Sequence, residues 1–186
     1  MTAPQFTDYE NRTRHTFQAM MWALSYPGQT FELLNGQLEA YRDIADSLLD
    51  LETSFYCEDS DLLESLHQTG ARELSPDRAA YHFYPTLDTV QLPTVKMASI
   101  GTLTYPDQAA TLIIGCKLGQ GGQTLKLAGP GIPPTATQKI QVRDIPVAFW
   151  ELREQAIRYP RGWDILLIDN QTIVGLPRTT RIAMEE

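Results

Sequence analysis

Phe17, Met20, Met21 and Leu24 recur at i, i+3, i+4 and i+7, the repeat that lines one stripe of an α-helix with apolar side chains. The spacing predicts a first helix with that stripe packed inward. It should stop at Tyr26-Pro27-Gly28, where proline cannot donate to the helix ladder and glycine turns freely. A second helix is expected over about 38–51, with Tyr41, Ile44, Ala45 and Leu48 on one face. Ser54–Cys57 then reads as a short strand. A third helix is signalled by Ser60 or Asp61 as cap, by Leu62, Leu63 and Leu66, and by Gly70 as terminator.

Beyond residue 70 the pattern turns to strands. Ala80–Tyr84 reads as a strand ended by Pro85, and residues 86–108, with Pro93 and Pro106, as loops and short turns. Thr111–Cys116 has the look of a buried strand. Gly119-Gln120-Gly121-Gly122 forms a turn, and the alternation over Thr124–Leu127 completes a hairpin pattern. The Gly129-Pro130-Gly131-Ile132-Pro133-Pro134 segment breaks structure again. Asp144 and Pro146 start a helix reaching Tyr159, with Phe149, Leu152 and Ala156 inward and a Glu154–Arg158 pair at i, i+4. Ile165–Ile168 and Thr172–Leu176 flank Asp169-Asn170 as a closing hairpin. Hairpins mingle with helices, so the expected class is α/β or α+β with a mixed sheet. No internal repeat or domain boundary interrupts residues 1–186, which read as one domain.

Composition narrows the function classes. The net charge is −8 and the pI about 4.9, which speaks against a protein built to grip nucleic acid or an anionic membrane. No apolar run approaches the roughly 18 residues of a spanning helix. The polar N-terminus, which carries acids, resembles neither a secretory signal nor a transit peptide. Cys57 and Cys116 stand alone, so separate thiols in a cytoplasmic protein are expected rather than a disulfide. The charge is uneven: residues 1–70 hold 12 acids and 3 bases, residues 71–186 hold 11 and 12. Asp43, Asp46, Asp50, Glu52, Glu58, Asp59, Asp61 and Glu64 follow one another with no Lys or Arg between them. That run is either a solvated helical face or a surface that docks a basic partner.

Candidate chemistry is sparse. His15, His67 and His82 lack metal-ligand spacing and read as structural. The glycine turn at 119–122 feeds a strand, whereas a phosphate cradle feeds a helix whose N-terminal amides meet the anion. Lys117 and Lys126 flank the expected hairpin and alternate with apolar residues, which points them to water and away from Schiff-base chemistry. The most pointed cluster is Leu176-Pro177-Arg178-Thr179-Thr180-Arg181. Its guanidinium and hydroxyl groups suit a phosphate or carboxylate, and equally a subunit contact or an ion pair.

Four segments taken in order resemble one family. His15–Leu24 followed by Pro27-Gly28 is similar to its N-terminal "FR…M.AM..PG" motif, and Gly122–Ile132 to its "GG..L.L.GPGI" segment. Pro160–Leu167 resembles its "P.G.D..L" step, and Leu176–Thr180 its closing "PRTT". The family is the H subunit of the carbon–phosphorus lyase core complex, PhnH. One departure is Gln18, which stands where the family usually has arginine.

The resemblance implies a three-layer α/β/α fold similar to pyridoxal-phosphate-dependent transferases but without their cofactor site. It implies a homodimer that assembles with the G, I and J subunits in the cytoplasm, needing no cofactor or metal of its own. That complex supports formation of alpha-D-ribose 1-methylphosphonate 5-triphosphate from ATP and an alkylphosphonate, and later radical cleavage of the carbon–phosphorus bond. The H subunit is required but has no assigned catalytic residues. Two contact regions are expected: Gly129, Gly131, Arg178, Thr179 and Thr180 toward an anion or a partner, and an acidic docking face of Asp43, Asp46, Asp50, Glu58, Asp59, Asp61 and Glu64. In the alternative reading, Gly129–Gly131 and Arg178 form an anion pocket of a phosphonate- or nucleotide-binding protein or enzyme.

Overall fold

A computed structural model describes residues 7–36, 38–135 and 138–185; the first six residues of the N-terminal segment read above lie outside them. Helix α1 (Asp8–Ser25) starts from a capping box. Thr7 Oγ1 accepts from the Glu10 N–H at 3.2 Å, and the Glu10 carboxylate accepts from the Thr7 N–H at 2.7 Å. The helix ends before Pro27-Gly28, as expected. Its inward stripe is Thr16, Ala19, Met20 and Ala23, while Phe17 and Met21 are 52% and 40% exposed. The expected stripe is therefore corrected in part: Met20 is buried and Leu24 packs against the same core, but the helix is turned so that Thr16, Ala19 and Ala23 face inward in place of Phe17 and Met21. A Cβ added to Gly175 would lie 2.5 Å from the Ala23 carbonyl oxygen, so the backbones approach too closely for larger side chains.

Strand β1 (Thr30–Glu32) precedes α2 (Leu38–Leu48), which buries Ala40, Tyr41, Ile44 and Ala45. This helix ends short of residue 51. Asp50 Oδ1 accepts from the Glu52 and Thr53 N–H groups at 2.9 and 3.0 Å, turning the chain into β2 (Ser54–Cys57). The cap of α3 (Ser60–Gln68) is Asp59, one residue before the expected caps; its Oδ1 accepts from Asp61 and Leu62. Strands β3 (Arg72–Glu73) and β4 (Tyr81–Tyr84) follow. Within the expected loop lies α4 (Leu92–Met97), where Pro93 occupies the first turn and its missing N–H costs nothing.

Strands β5 (Thr111–Gly115) and β6 (Lys117–Ala128) do not form the expected hairpin. Leu112, Ile113 and Ile114 are buried on both faces, which suits a central parallel strand; β5 accordingly lies between β4 and β8 (Asp164–Asp169), parallel to both. Strand β6 leaves for a second sheet, between β7 (Gln138–Arg143) and β10 (Arg181–Glu185). The glycines at 119–122 form an excursion within β6: Leu118 and Gln123 both face Val142. The expected hairpin between β8 and β9 (Thr172–Leu176) is present, with Asn170 at φ 51° in its turn.

Among the described residues the main sheet has seven strands in the order β1-β9-β8-β5-β4-β2-β3, antiparallel at β1 and β9 and parallel elsewhere. Its two faces bury two cores. Ile113, Leu166, Ile168 and Ile173 pack under α1, α2 and α3. Leu112, Ile114, Ile165 and Leu167 pack under α5 (Val147–Ala156), α4 and the small sheet, which contributes Leu125, Leu127, Ile140 and Val142. In α5, Phe149, Trp150 and Arg153 are the buried residues, and Leu152 and Ala156 are half-buried. The helix ends at Ala156, so the expected Glu154–Arg158 pair is replaced: Arg158 Nη1 donates to the Glu154 and Ile157 carbonyls at 3.3 and 2.9 Å.

Candidate functional site

Parallel strands end together, and ligands of open α/β sheets settle beyond those carboxyl ends. Here a cleft of about 1160 Å³ opens beyond β4, β5 and β8. Gly115 forms its floor; an added Cβ would collide with the Pro85 carbonyl and lie 2.6 Å from Tyr41 Oη. Lys117 Nζ lies 3.0 Å from Asp169 Oδ1, and Asp169 Oδ2 accepts from the Leu118 N–H at 2.9 Å. Burial pushes the Cys116 thiol up to about 12, helped by Asp169, and raises the Tyr41 hydroxyl too. Both groups are therefore neutral at physiological pH, and Cys116 is no ready nucleophile. Among the described residues of the lining, Glu32, Asp88, Asp144 and Asp169 oppose the single ammonium of Lys117, a charge set unsuited to a polyanion.

The motif segments lie elsewhere, where the loop after β6 meets the loop after β9. Gly129 (φ +147°) passes Thr179, whose carbonyl oxygen would be 2.9 Å from an added Cβ. Gly131 (φ +81°) lies against Ser25 and Pro27 at the end of α1. Arg178 turns to Asp164: its Nε is 3.3 and 3.2 Å from the two carboxylate oxygens, and its backbone N–H donates to Oδ1 at 2.8 Å. Its Nη1 donates to the Pro106 carbonyl. Thr180 is buried and Thr179 half-buried. Arg153 reaches the same loop from α5 and donates to the Pro177 and Thr180 carbonyls at 3.1 and 3.0 Å. Burial lowers its guanidinium to about 10. Sequence reasoning missed Arg153, although a cation four residues after Phe149 on the inward face was a visible signal.

The acidic set is divided. Asp43 is buried, 2.7 Å from Arg12 Nε, and accepts from Asn35 Nδ2 at 2.8 Å. Asp46 lies 3.4 Å from Arg12 Nη2; burial raises its carboxyl against the opposing pull of that arginine. With Glu64 these two line a groove between α2 and α3 that also holds Arg42. Glu58 and Asp59 sit in a different recess, beside Pro85 and Gln91. Asp50 holds its turn, and Asp61 is exposed on α3. Gln18 is exposed on α1.

His82 is fully buried with Nδ1 3.2 Å from Tyr84 Oη, and burial lowers it to about 4. His67 Nε2 is 3.1 Å from the Glu73 carboxylate. Both cysteines are free and buried. Among the described residues no group of three or more His, Cys, Asp or Glu is placed to hold a metal ion, and no helix is long and apolar enough to cross a membrane.

A family described as "Bacterial phosphonate metabolism protein (PhnH)" matches residues 4–183. The chain is 29% identical over 179 residues to the "Putative C-P lyase subunit protein HtxG" of Stutzerimonas stutzeri, covering 94% of this chain and 87% of that protein. It is 34% identical over 96 residues to the "Alpha-D-ribose 1-methylphosphonate 5-triphosphate synthase subunit PhnH" of Rhizobium meliloti (strain 1021), covering 50% of this chain and 46% of that one. With the family model matching residues 4–183, nearly the whole of the described fold, this chain belongs to the PhnH family of bacterial phosphonate metabolism proteins.

Proposed function

We propose that this chain is a cytoplasmic, non-catalytic subunit of the carbon–phosphorus lyase core complex. It forms a homodimer, joins the G, I and J subunits, and supports formation of alpha-D-ribose 1-methylphosphonate 5-triphosphate from ATP and an alkylphosphonate. The chain is one domain, and its fold is a relative of pyridoxal-phosphate-dependent transferases that has no cofactor site. Family membership and the subunit names of both relatives support this reading. The observation that carries the non-catalytic part is how the motif residues are used. Gly129, Gly131 and Arg178 are spent on joining the small sheet, the end of α1 and β8 to one another.

The anion pocket at Gly129–Gly131 and Arg178 is the less favoured reading, because Asp164 already neutralises that guanidinium. Co-expression with the G, I and J subunits tests the proposal. The chain should co-purify with them, and nucleotide–phosphonate coupling should fall when it is omitted. A free chain and unchanged coupling would overturn it. A saturable thermal shift with ATP, methylphosphonate or pyridoxal phosphate, abolished by Arg178→Ala, would favour the pocket instead.

A further inference from the structure

The outer face of the small sheet is basic in a chain whose net charge is −8. Leu125, Leu127, Ile140 and Val142 point into the core, so the alternate residues of β6, β7 and β10 point out. Four of these are the exposed cations Lys126, Lys139, Arg143 and Arg181. The register places Lys126 directly opposite Lys139, and Ala183 on its other side. Like charges facing each other across an antiparallel pair destabilise it, and such local conflicts collect at functional surfaces. Glu185 answers Lys139 at 2.6 Å. Among the described residues, neither Lys126 nor Arg181 has a carboxylate within ion-pair distance.

The chemistry of the face selects its occupant. Antiparallel strands present it as a sheet surface rather than a concave pocket, so it does not enclose a small phosphate ester as ligand sites do. None of its outward residues is aromatic, so it offers unstacked bases no platform, and the chain's overall charge opposes a nucleic acid. A second copy fits poorly as well. The acidic helices α2 and α3 cover the opposite face of the main sheet, so pairing basic to acidic faces between copies would be head-to-tail, building a ring or an open chain, and a two-fold pairing would set cations on cations.

We infer that the outer face of β6, β7 and β10, centred on Lys126 and Arg181, docks a carboxylate-bearing protein surface of another subunit. This rests on the subunit reading above and adds the surface and the charge of its partner. Complementary potentials of this kind steer encounter, fix orientation and weaken with salt.

The test is co-purification with tagged G, I and J subunits at low and physiological salt, using Lys126→Glu/Arg181→Glu. The control is Arg78→Glu/Lys96→Glu, which changes net charge equally at two exposed cations outside the small sheet. Unchanged circular dichroism and thermal midpoint establish folding of both. Capture of the unaltered chain should weaken with salt, the face variant should be captured about tenfold less, and the control should behave as the unaltered chain. Equal capture of all three overturns the inference and leaves the subunit reading intact. Equal loss in both variants also overturns it, reducing the effect to net charge. No capture of the unaltered chain overturns both. Binding of RNA or of a second copy that Lys126→Glu/Arg181→Glu abolishes, with subunit capture unchanged, replaces the proposed occupant.

Discussion

Asp164, the first residue of β8, holds Arg178 by both carboxylate oxygens and also accepts its backbone N–H, so the opening of one strand fixes the exit from its antiparallel neighbour. The two side chains are 20% and 18% exposed, which keeps solvent from screening the pair fully. Arg178→Ala should cost about 1–3 kcal/mol, since it leaves a half-buried carboxylate with one fewer charged donor. Urea unfolding of Arg178→Ala, Asp164→Ala and the double variant checks this. Strictly additive losses would show that the pair is not coupled.

Arg153 offers a second test of the same loop. Its Nη2 satisfies the Pro177 and Thr180 carbonyls from inside the protein. Arg153→Leu keeps the apolar stem and removes the donor, leaving acceptors unpaired, and should lower stability by about 2–3 kcal/mol. Faster amide exchange over residues 178–181 than in the unaltered chain would locate the damage. A uniform change across β8 and β9 would contradict a local role.

His82 sets a dependence on pH. It faces Tyr84 and Tyr56, and burial lowers it from 6.5 to about 4. The unfolded chain therefore takes up this proton first as pH falls. Stability from the neutral form is complete above pH 6.5 and drains away toward about 4, by about 3 kcal/mol. Denaturant midpoints measured across that window should fall with pH, and the slope should shrink in His82→Gln. An identical slope in that variant would assign the dependence to other groups.

Glycines separate by what surrounds them. Gly175→Ala drives a Cβ into the backbone of Ala23 and should displace α1, costing at least about 2 kcal/mol. Gly119→Ala meets no atom within 4 Å and pays only for its φ of +67°, about 1 kcal/mol. Thermal melts of the two rank them directly. A larger loss at Gly119 would contradict the packing argument.

The closing hairpin at Asp169-Asn170, the stop at Pro27-Gly28 and the strand Ser54–Cys57 were legible because each rests on local chemistry. The rotation of α1 was not, because it depends on Gly175, more than a hundred residues away, and Met21 is as apolar as Met20. The partner of β5 escaped for a related reason. A glycine turn after a buried strand signals a return, but the choice between returning onto β5 and crossing to β7 is made by tertiary pairing. The motif residues were found as a cluster with an ion pair among their readings, yet the partners were hidden: Asp164 and Arg153, which satisfy Arg178 and its loop, come from two other elements. Strand β7 had no counterpart among the expected elements, although Lys139–Arg143 alternates polar and apolar residues.

The excursion at 119–122 returns β6 to the residue it left, Val142, so the ladder on either side is indifferent to how many residues the detour contains. Gly122 is pinned against Val142 and Arg143, while Gly119 and Gly121 face open space. Lengthening the detour between those two changes loop entropy only slowly and shifts no strand. The position is thus a natural socket for grafting: an epitope or a fluorescent domain inserted there would hang from the molecule while every strand kept its neighbour.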